Sequence, residues 1–353
     1  MADKIYLITG AAGLLGSNIT KKLIAKGQKV RALVLPGDPA VKHVPGEAQT
    51  VYGDITDMES LERFFRVDEN LEVTVIHCAS IVTVVDSFSR KVYEVNVNGT
   101  RNVVGACIGH EVKKLVYISS TSAIPELLMG QVIREVDHYS PKGIIGFYGQ
   151  TKAEATQIVM DAVKHQNLDA SIVFPTGICG PNDFANGPVS SFITDYVNGK
   201  MPAGIAGYFN AVDVRDLADG CIACCEKGRR GEGYIMGNQL VSMREMFDLL
   251  SKISGCKNVK TILPAWAAKW MGRGCDLMGK ITGKPGRMTS FAVYNMIRNN
   301  DFSYEKAERE LGYKVRPFER TIEDEMVWMR SEGMLDWSSP DESGRRRTHR
   351  VSA

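Results

Sequence analysis

Near its N-terminus the chain carries the stretch Thr9-Gly10-Ala11-Ala12-Gly13-Leu14-Leu15-Gly16. The apolar run at residues 5–8 before it is typical of a buried parallel strand, and the apolar spacing of residues 17–24 after it is typical of a helix. The three glycines therefore lie at a strand-to-helix turn. Glycine lets the backbone turn sharply and lets a pyrophosphate approach the N–H groups at the helix N-terminus. This stretch predicts a dinucleotide-binding turn at the start of an α/β domain.

Length and composition are those of an ordinary globular protein. The chain has 353 residues, 44% apolar and 24% charged, with a formal net charge of +2. This length allows a large buried core, and the near-neutral charge argues against a nucleic-acid partner. No apolar run is long enough to cross a bilayer, and the first strand starts too early to leave room for a signal peptide. We therefore expect a cytoplasmic protein with no integral membrane segment.

Eight cysteines are scattered along the chain, which indicates reduced thiols rather than a disulfide framework. Three of them, Cys221, Cys224 and Cys225, fall in a predicted helix. Because no second ligand pair follows at the spacing of a zinc site, we predict buried helix residues and no metal site.

Strand and helix signals alternate through the first half of the chain. The strand signals after the first lie at residues 29–34, 49–52, 73–78, 114–118 and 170–174. This alternation predicts a Rossmann-type, doubly wound parallel sheet over residues 1–178. A smaller C-terminal α/β substrate-binding region is expected over residues 179–336, with residues 208–227 returning to the core sheet. The polar residues 337–353 are predicted to form a disordered tail.

Groups that can carry chemistry follow the later strands. A hydroxyl cluster at residues 119–122 follows the fifth strand, at the edge of a parallel sheet where ligands bind. Tyr148 and Lys152 are four residues apart on a predicted helix and share one face. A lysine ammonium beside a phenol is expected to lower the phenol pKa, which makes it a usable proton donor and acceptor.

The second strand leaves the choice of dinucleotide open. An acidic residue about twenty positions after the glycines is typical of NAD binding, and a nearby arginine is typical of NADP binding. The strand ends instead in Val34 and Leu35. Both NAD and NADP remain candidate cofactors.

Seven short motifs occur in an order that resembles the extended short-chain dehydrogenase/reductase superfamily, in its epimerase/dehydratase-like branch. They are Thr9-Gly10-x-x-Gly13-x-x-Gly16, Gly53-Asp54, Asn96-Val97-x-Gly99-Thr100, Ser119-Ser120-Thr121, Tyr148-x-x-x-Lys152, Pro175-Thr176-Gly177 and Val212-Asp213-Val214-x-Asp216. The resemblance covers most of residues 3–330. It is specific for the fold and the cofactor class, and it does not specify a substrate.

The resemblance implies three catalytic residues. Tyr148 is expected to be the acid/base, Lys152 to bind the nicotinamide ribose and tune Tyr148, and Thr121 to bind the substrate oxygen. Ser120 is the alternative to Thr121 because the register of this turn is uncertain by one residue.

The resemblance also implies the remaining contacts of the cofactor, and a homodimer through helices near residues 96–110 and 148–164. The cofactor-binding residues expected in this way are Gly10, Gly13, Leu14, Leu15, Gly16, Asp54, Ile55, Cys78, Ala79, Ser80, Asn96, Ser119, Tyr148, Lys152, Pro175, Thr176, Gly177 and Ile178.

Two departures from the sugar-nucleotide enzymes of this branch bear on the substrate. Those enzymes usually place Asn where this chain has Phe174, and an arginine for the substrate diphosphate near Gly207. A buried diphosphate without a cation is costly. The chain is more similar to the dihydroflavonol reductase, cinnamoyl-CoA reductase and 3β-hydroxysteroid dehydrogenase group. Aromatic residues that suit a flat apolar substrate are Phe192, Tyr196, Tyr208 and Trp266.

These observations predict an NAD(P)-dependent oxidoreductase that interconverts an alcohol and a ketone or aldehyde on a hydrophobic small molecule, with a 3-hydroxy or 3-oxo steroid as one candidate. The alternatives are a sugar-nucleotide epimerase or dehydratase, and a non-catalytic redox sensor that binds NAD(P). The Trp- and Met-rich stretch at residues 263–296 is interpreted as ordinary packing or a lid, with a membrane-surface helix as the alternative.

Overall fold

The computed structural model describes residues 3–83, 85–282 and 289–335. The strands are β1 (Lys4–Thr9), β2 (Lys29–Val34), β3 (Gln49–Tyr52), β4 (Glu72–His77), β5 (Lys114–Ile118), β6 (Ala170–Pro175), β7 (Gly177–Cys179), β8 (Gly204–Ile205), β9 (Tyr208–Asp213), β10 (Gly233–Met236), β11 (Leu240–Ser242) and β12 (Ile262–Leu263). The helices are α1 (Leu14–Ala25), α2 (Met58–Phe65), α3 (Arg90–Tyr93), α4 (Thr100–Gly109), α5 (Phe147–His165), α6 (Pro188–Val197), α7 (Val214–Lys227), α8 (Met243–Ser254), α9 (Ala265–Thr282), α10 (Ser290–Ile297), α11 (Glu305–Leu311) and α12 (Phe318–Ser331).

Local sequence explains where several of these elements begin. The Asp57 side chain accepts the backbone N–H groups of Glu59 and Ser60 and so caps α2. Ser242 and Glu245 form a reciprocal capping box at the start of α8. A π-helical turn at Glu94–Gly99 joins α3 to α4, and such turns are often found at functional sites.

Within the described residues, the central sheet has seven strands in the order β10-β6-β5-β4-β1-β2-β3. Every neighbouring pair is parallel. The strand order reverses between β1 and β4, and the crevice at such a switch point is where open α/β sheets bind ligands. The prediction of a Rossmann-type doubly wound sheet is confirmed.

Contacts divide the chain into two compact units. Of the described residues, the first unit holds those within 3–176, 214–238 and 301–315, and the second holds those within 177–213, 239–300 and 316–335. The return to the core sheet was expected at about residues 208–227, and in the structure the chain rejoins the first unit at residue 214, where α7 begins. The strand that joins the sheet is β10, beside β6. β9 instead pairs with β7 and β11 in the second unit, and α7 packs against α1.

The second unit has its own apolar core around Phe247. The ring of Phe247 stacks against Phe192 and Tyr196, at centroid distances of 5.9 and 5.6 Å, and Phe192 also meets Phe209 edge to face. Tyr196 is therefore a buried member of this core, and Phe192 packs against the core but remains partly exposed, so a contact of Phe192 with a substrate stays a prediction. An aromatic residue in a helical pattern packs inward unless a ligand cavity is built around it.

A buried carboxyl group lies beside the same core. Glu325 on α12 is fully buried, and its two oxygens accept the Gly180 N–H at 2.9 Å and contact the Ser190 hydroxyl at 2.8 Å. The Ser190 hydroxyl also lies 2.6 Å from Asp183 Oδ2. Burial raises the pKa of Glu325 to about 8, and the negative charges of the nearby Asp183 and Asp213 also raise it. The hydrogen bonds with Ser190 and Gly180 lower this pKa and offset part of the rise.

The Ser190 hydroxyl has one hydrogen, so it can donate to Asp183 or to Glu325 but not to both. The geometry is complete when Glu325 is protonated, donates to Ser190 and lets Ser190 donate to Asp183. Asp213 is the other carboxylate near this group, and Arg316 neutralises it at 3.4 Å. The raised pKa and this hydrogen-bond pattern together favour the protonated form of Glu325 at neutral pH.

No helix among the described residues is both long enough and apolar enough to cross a bilayer. Cys221 and Cys224 are buried thiols on α7, as the sequence predicts, and Cys225 beside them is partly buried. The tail expected at residues 337–353, and residues 283–288 of the Trp- and Met-rich stretch, lie outside the described residues.

Candidate active site

The glycine turn closes tightly at the end of β1. Gly10 has a φ of +67°, and a Cβ there would lie 2.8 Å from the Ala79 backbone. A Cβ at Gly16 would collide with the Gly10 carbonyl oxygen, and the Gly13 N–H donates to that same oxygen at 3.0 Å. Only glycine fits at Gly10, where φ is left-handed, and at Gly16, where the Gly10 backbone leaves no room; at Gly13 a Cβ would lie 3.3 Å from the Gly10 oxygen, which is a tight contact.

The turn presents the N-terminus of α1. Gly13 is the N-cap and has no side chain to satisfy the first-turn N–H groups, and the first turn carries no acidic residue. The helix dipole favours an anion at this position. The predicted contacts Leu14 and Leu15 are the first two residues of α1. The residues present thus fit the pyrophosphate of a dinucleotide.

A buried hydrogen-bond network holds the turn against the end of β4. The Thr100 hydroxyl donates to the Asn96 carbonyl at 2.7 Å, so it accepts from His77 Nε2 at 3.1 Å. The Thr9 hydroxyl then donates to His77 Nδ1 at 2.7 Å, and its oxygen accepts the Ala79 N–H at 3.2 Å. Burial lowers the pKa of His77 to about 3, so the ring is neutral and carries its hydrogen on Nε2. His77 is a structural residue that positions Ala79.

Asn96 lies in the π-helical turn and ties two segments together. Its Oδ1 accepts the Ile81 N–H at 2.8 Å, and its Nδ2 donates to the Ile81 carbonyl at 3.0 Å and to the Thr151 hydroxyl at 3.1 Å. These bonds use both amide hydrogens. In the structure, the predicted cofactor contact Asn96 therefore joins the loop after β4 to α5 through its side-chain hydrogen bonds. Ser80, which directly precedes Ile81, is partly exposed on that loop.

Two hydroxyl groups at the end of β5 have different partners. The Ser120 hydroxyl accepts the Ser122 N–H at 3.1 Å and lies close enough to the Tyr148 phenol to favour its tyrosinate form. The Thr121 hydroxyl donates to the Pro175 carbonyl at 3.3 Å. The structure therefore brings Ser120, the alternative to Thr121 in the sequence prediction, against the phenol. Ser119 lies one residue earlier and bonds the Thr156 hydroxyl at 2.6 Å.

Tyr148 and Lys152 share one face of α5, as predicted, but their pKa values differ from the expectation. Burial raises the pKa of Tyr148 to about 12, and the nearby Ser120 hydroxyl offsets part of this rise. Burial lowers the pKa of Lys152 to about 7. The lysine therefore loses much of its charge at neutral pH, and the prediction that it lowers the pKa of Tyr148 is wrong for the protein without a ligand.

The Lys152 ammonium is held in a defined place. Nζ donates to the Ile118 carbonyl at 2.7 Å and lies 4.6 Å from the centroid of the Tyr117 ring. The Lys152 carbonyl in turn accepts the Thr156 hydroxyl at 2.7 Å. Sequence reasoning missed Thr151 and Thr156, although their positions three and eight residues after Tyr148 place them on the same helix face.

The other predicted cofactor contacts differ from one another in burial and in their hydrogen-bond partners. Asp54 Oδ1 accepts both the N–H and the hydroxyl of Thr56, which is turn chemistry, and Ile55 beside it is buried. Burial raises the pKa of the Cys78 thiol to about 12, so it is not a thiolate. Within the part of the chain that the structure describes, the buried Thr176 hydroxyl has no hydrogen-bond partner.

A buried hydroxyl without a partner is costly, so Thr176 fits a site that binds a polar ligand group. Pro175 ends β6 in the same unit. Gly177 and Ile178 form part of β7 in the second unit, where they pair with Ala211 and Val212.

Together, the switch-point crevice, the glycine turn and the Ser-Tyr-Lys group define an enzyme of the extended short-chain dehydrogenase/reductase type. The model of the NAD dependent epimerase/dehydratase family matches residues 6–237, which is more than half of the chain. The chain belongs to this family and uses a nicotinamide dinucleotide as its cofactor.

Individual relatives match along nearly the whole chain. Sterol demethylase protein B of Methylococcus capsulatus is 27% identical over 336 residues, covering 93% of this chain and 99% of the relative. A putative dihydroflavonol 4-reductase of Synechocystis is 28% identical, covering 95% and 97%. The crystal structure of gox2253 is similar with a TM-score of 0.82 and 29% identity, covering 95% and 100%.

Proposed function

We propose that this protein interconverts an alcohol and a ketone or aldehyde on a hydrophobic small molecule, with a 3-hydroxy or 3-oxo steroid as the leading candidate. The observation that carries the proposal is the proximity of the Ser120 hydroxyl, which follows β5, to the Tyr148 phenol, with Lys152 one helical turn further on. A paired hydroxyl and phenol can bind one carbonyl oxygen and give it a proton.

When the carbonyl is reduced, Tyr148 and Lys152 have separate roles. The bound nicotinamide supplies a hydride to the carbonyl carbon. Tyr148, with a pKa near 12, holds its proton at neutral pH and donates it to the substrate oxygen as negative charge develops there. Charge forming on the tyrosinate favours the ammonium form of Lys152, because opposite charges stabilise each other. In the direction of oxidation the same groups remove the proton.

Exposed apolar side chains next to Tyr148 support a hydrophobic substrate. Phe88 is 71% exposed, and its ring lies 5.3 Å from that of Phe147, the residue before Tyr148. Val82 and Ile145 are exposed in the same unit. A site for a flat apolar molecule needs such surfaces around a few polar groups.

The two departures from the sugar-nucleotide pattern have structural counterparts. Phe174 is buried and stacks on Tyr139 at 5.2 Å, so it offers a ligand no hydrogen bond. A Cβ at Gly207 would collide with the Met296 carbonyl oxygen, so an arginine does not fit there without a backbone shift. Both observations favour a substrate without a diphosphate.

The test is to follow the nicotinamide absorbance with NADH and NADPH separately, against 3-oxosteroids, aromatic aldehydes and nucleotide sugars. We expect oxidation of one reduced cofactor with an apolar carbonyl compound, and the preferred cofactor settles the choice between NAD and NADP. Turnover of nucleotide sugars alone would favour the epimerase or dehydratase. Cofactor binding without turnover of any carbonyl compound would favour a redox sensor.

Substitutions of the two hydroxyl residues separate their roles. We expect Ser120→Ala to lower kcat by roughly 10²-fold, because it removes a hydrogen bond that stabilises the charge developing on the substrate oxygen. Thr121→Val retains the shape of the neighbouring side chain and is expected to lower kcat less than tenfold, because that hydroxyl faces the Pro175 carbonyl. Steady-state kinetics of both variants measure this, and the reverse order of effects would assign the substrate oxygen to Thr121.

A further inference from the structure

Helix α9 exposes three large apolar side chains along one face. Trp266, Trp270 and Leu277 are 69%, 67% and 61% exposed. Their spacing of four and then seven residues places them in one line, since a helix has 3.6 residues per turn. Exposed tryptophans in line on one helix are unusual on a protein surface in contact only with water.

The opposite face of α9 is fixed to the second unit. Ala268 is fully buried with Ile205 and Val293, and a Cβ at Gly272 would lie 2.9 Å from the Ser290 Cα. These small residues let α9 pack closely on α10. The aromatic line is therefore the outward face of an anchored helix.

The acidic side chain of α9 contacts α10, whereas two of its basic side chains lie beside the aromatic line. The one carboxylate in the sequence of this helix, Asp276, accepts the N–H of Ser290, the first residue of α10, at 3.2 Å. Lys269 and Arg273 flank the aromatic line, and the Arg273 guanidinium lies 5.3 Å from the Trp270 ring centroid. The exposed face thus combines indole rings with cations.

We propose that this face of α9 binds the surface of an anionic lipid bilayer, with the helix in the plane of the interface. Indole rings favour the level of the lipid headgroups, and flanking cations are attracted to anionic lipids. The helix is not a spanning segment. The proposal stands independently of the proposed function.

The size of the surface favours a membrane over a second copy of the chain. Two indoles and a leucine offer about 500 Å², since a large aromatic side chain buries about 150–250 Å², and Met271 and Met278, 45% and 58% exposed on an adjoining side of α9, add a smaller area. A stable protein interface needs roughly 800 Å² from each partner. A symmetric contact through this face would also bring like charges together.

The test is co-sedimentation of the full chain with vesicles of phosphatidylcholine alone and of phosphatidylcholine mixed with phosphatidylglycerol. We expect tighter binding to the mixed vesicles, with a blue shift of tryptophan fluorescence. Trp266→Ser with Trp270→Ser is expected to weaken this binding by more than about tenfold, because it removes most of the apolar contact. Lys269→Gln with Arg273→Gln is expected to weaken it by about tenfold or more on the mixed vesicles alone, since each cation contributes about fivefold.

Leu128→Ser with Met129→Ser is the matched control, because it removes two exposed apolar side chains from a loop of the other unit. This variant is expected to bind like the unchanged protein. The proposal is overturned if the protein does not sediment with the mixed vesicles, or if the control weakens binding as much as the α9 variants. It is also overturned if the α9 substitutions abolish a concentration-dependent self-association instead, which would assign the face to a second copy.

Discussion

Tyr148→Phe lowers the turnover of a carbonyl substrate by about 10²–10⁴-fold, the usual cost of removing one acid/base group. The substitution deletes only the hydroxyl that lies near Ser120, and it leaves the ring in place at the start of α5. We therefore expect near-normal cofactor affinity and an unchanged circular dichroism spectrum. Steady-state kinetics and titration of cofactor fluorescence measure the two effects separately.

Tyr304→Phe provides the matched control. Tyr304 lies in the same unit and packs edge to face on Tyr313, 6.0 Å away between ring centroids. Removal of its hydroxyl is expected to leave turnover within about twofold, the range of a substitution away from the chemistry. A Tyr148→Phe protein with activity like that of the control would exclude Tyr148 as the proton donor.

Glu325→Gln is expected to stabilise the protein at pH 8 by on the order of 4 kcal/mol, and the gain is expected to vanish near pH 4.5. The folded-state pKa of Glu325 is about 8, against an ordinary value of 4.5. Between these values the unfolded chain has lost the proton and the folded chain retains it. The unfolding free energy of the unchanged protein therefore falls as the pH rises through this range, and the loss is complete above the folded-state pKa.

Glutamine reproduces the protonated carboxyl in this setting. Its amide can donate to Ser190 and its oxygen can accept the Gly180 N–H, so the hydrogen bonds of Glu325 are retained without a titrating group. Denaturant unfolding at a series of pH values measures the unfolding free energy of both proteins. Because the other titrating groups are the same in both, their effect cancels in the difference.

Glu323→Gln on the same helix is the control for this series. Glu323 is exposed and pairs with Arg320 at 3.1 Å, and a surface ion pair of this kind contributes little. We expect its effect on stability to be small and nearly independent of pH. A Glu325→Gln protein that is destabilised at every pH would show that the buried carboxyl is ionised and favourable.

The sequence predicted the parts of the fold that depend on local pattern. The apolar run before Gly10 and the helical spacing after Gly16 were enough to predict the strand, the turn and the parallel sheet, because each depends on residues close in the chain. The shared helix face of Tyr148 and Lys152 follows from their spacing alone.

Properties set by burial could not be predicted in this way. The direction of the Tyr148 pKa depends on how fully Tyr148 and Lys152 are buried, and spacing contains no measure of burial. Tyr196 was assigned to a ligand surface because aromatic side chains suit both a core and a ligand. The partner that decides between these uses, Phe247, lies some fifty residues further along the chain.

The most direct test of the central claim is transfer of a labelled hydride. The protein would be incubated with an apolar ketone and a reduced nicotinamide cofactor that carries deuterium at its hydride-donating carbon, and the product would be analysed by mass spectrometry. We predict an alcohol with one deuterium on the former carbonyl carbon, formed by the unchanged protein and, at the same time point, nearly absent with Tyr148→Phe. An alcohol without deuterium, or equal formation by both proteins, would contradict a hydride transfer assisted by Tyr148.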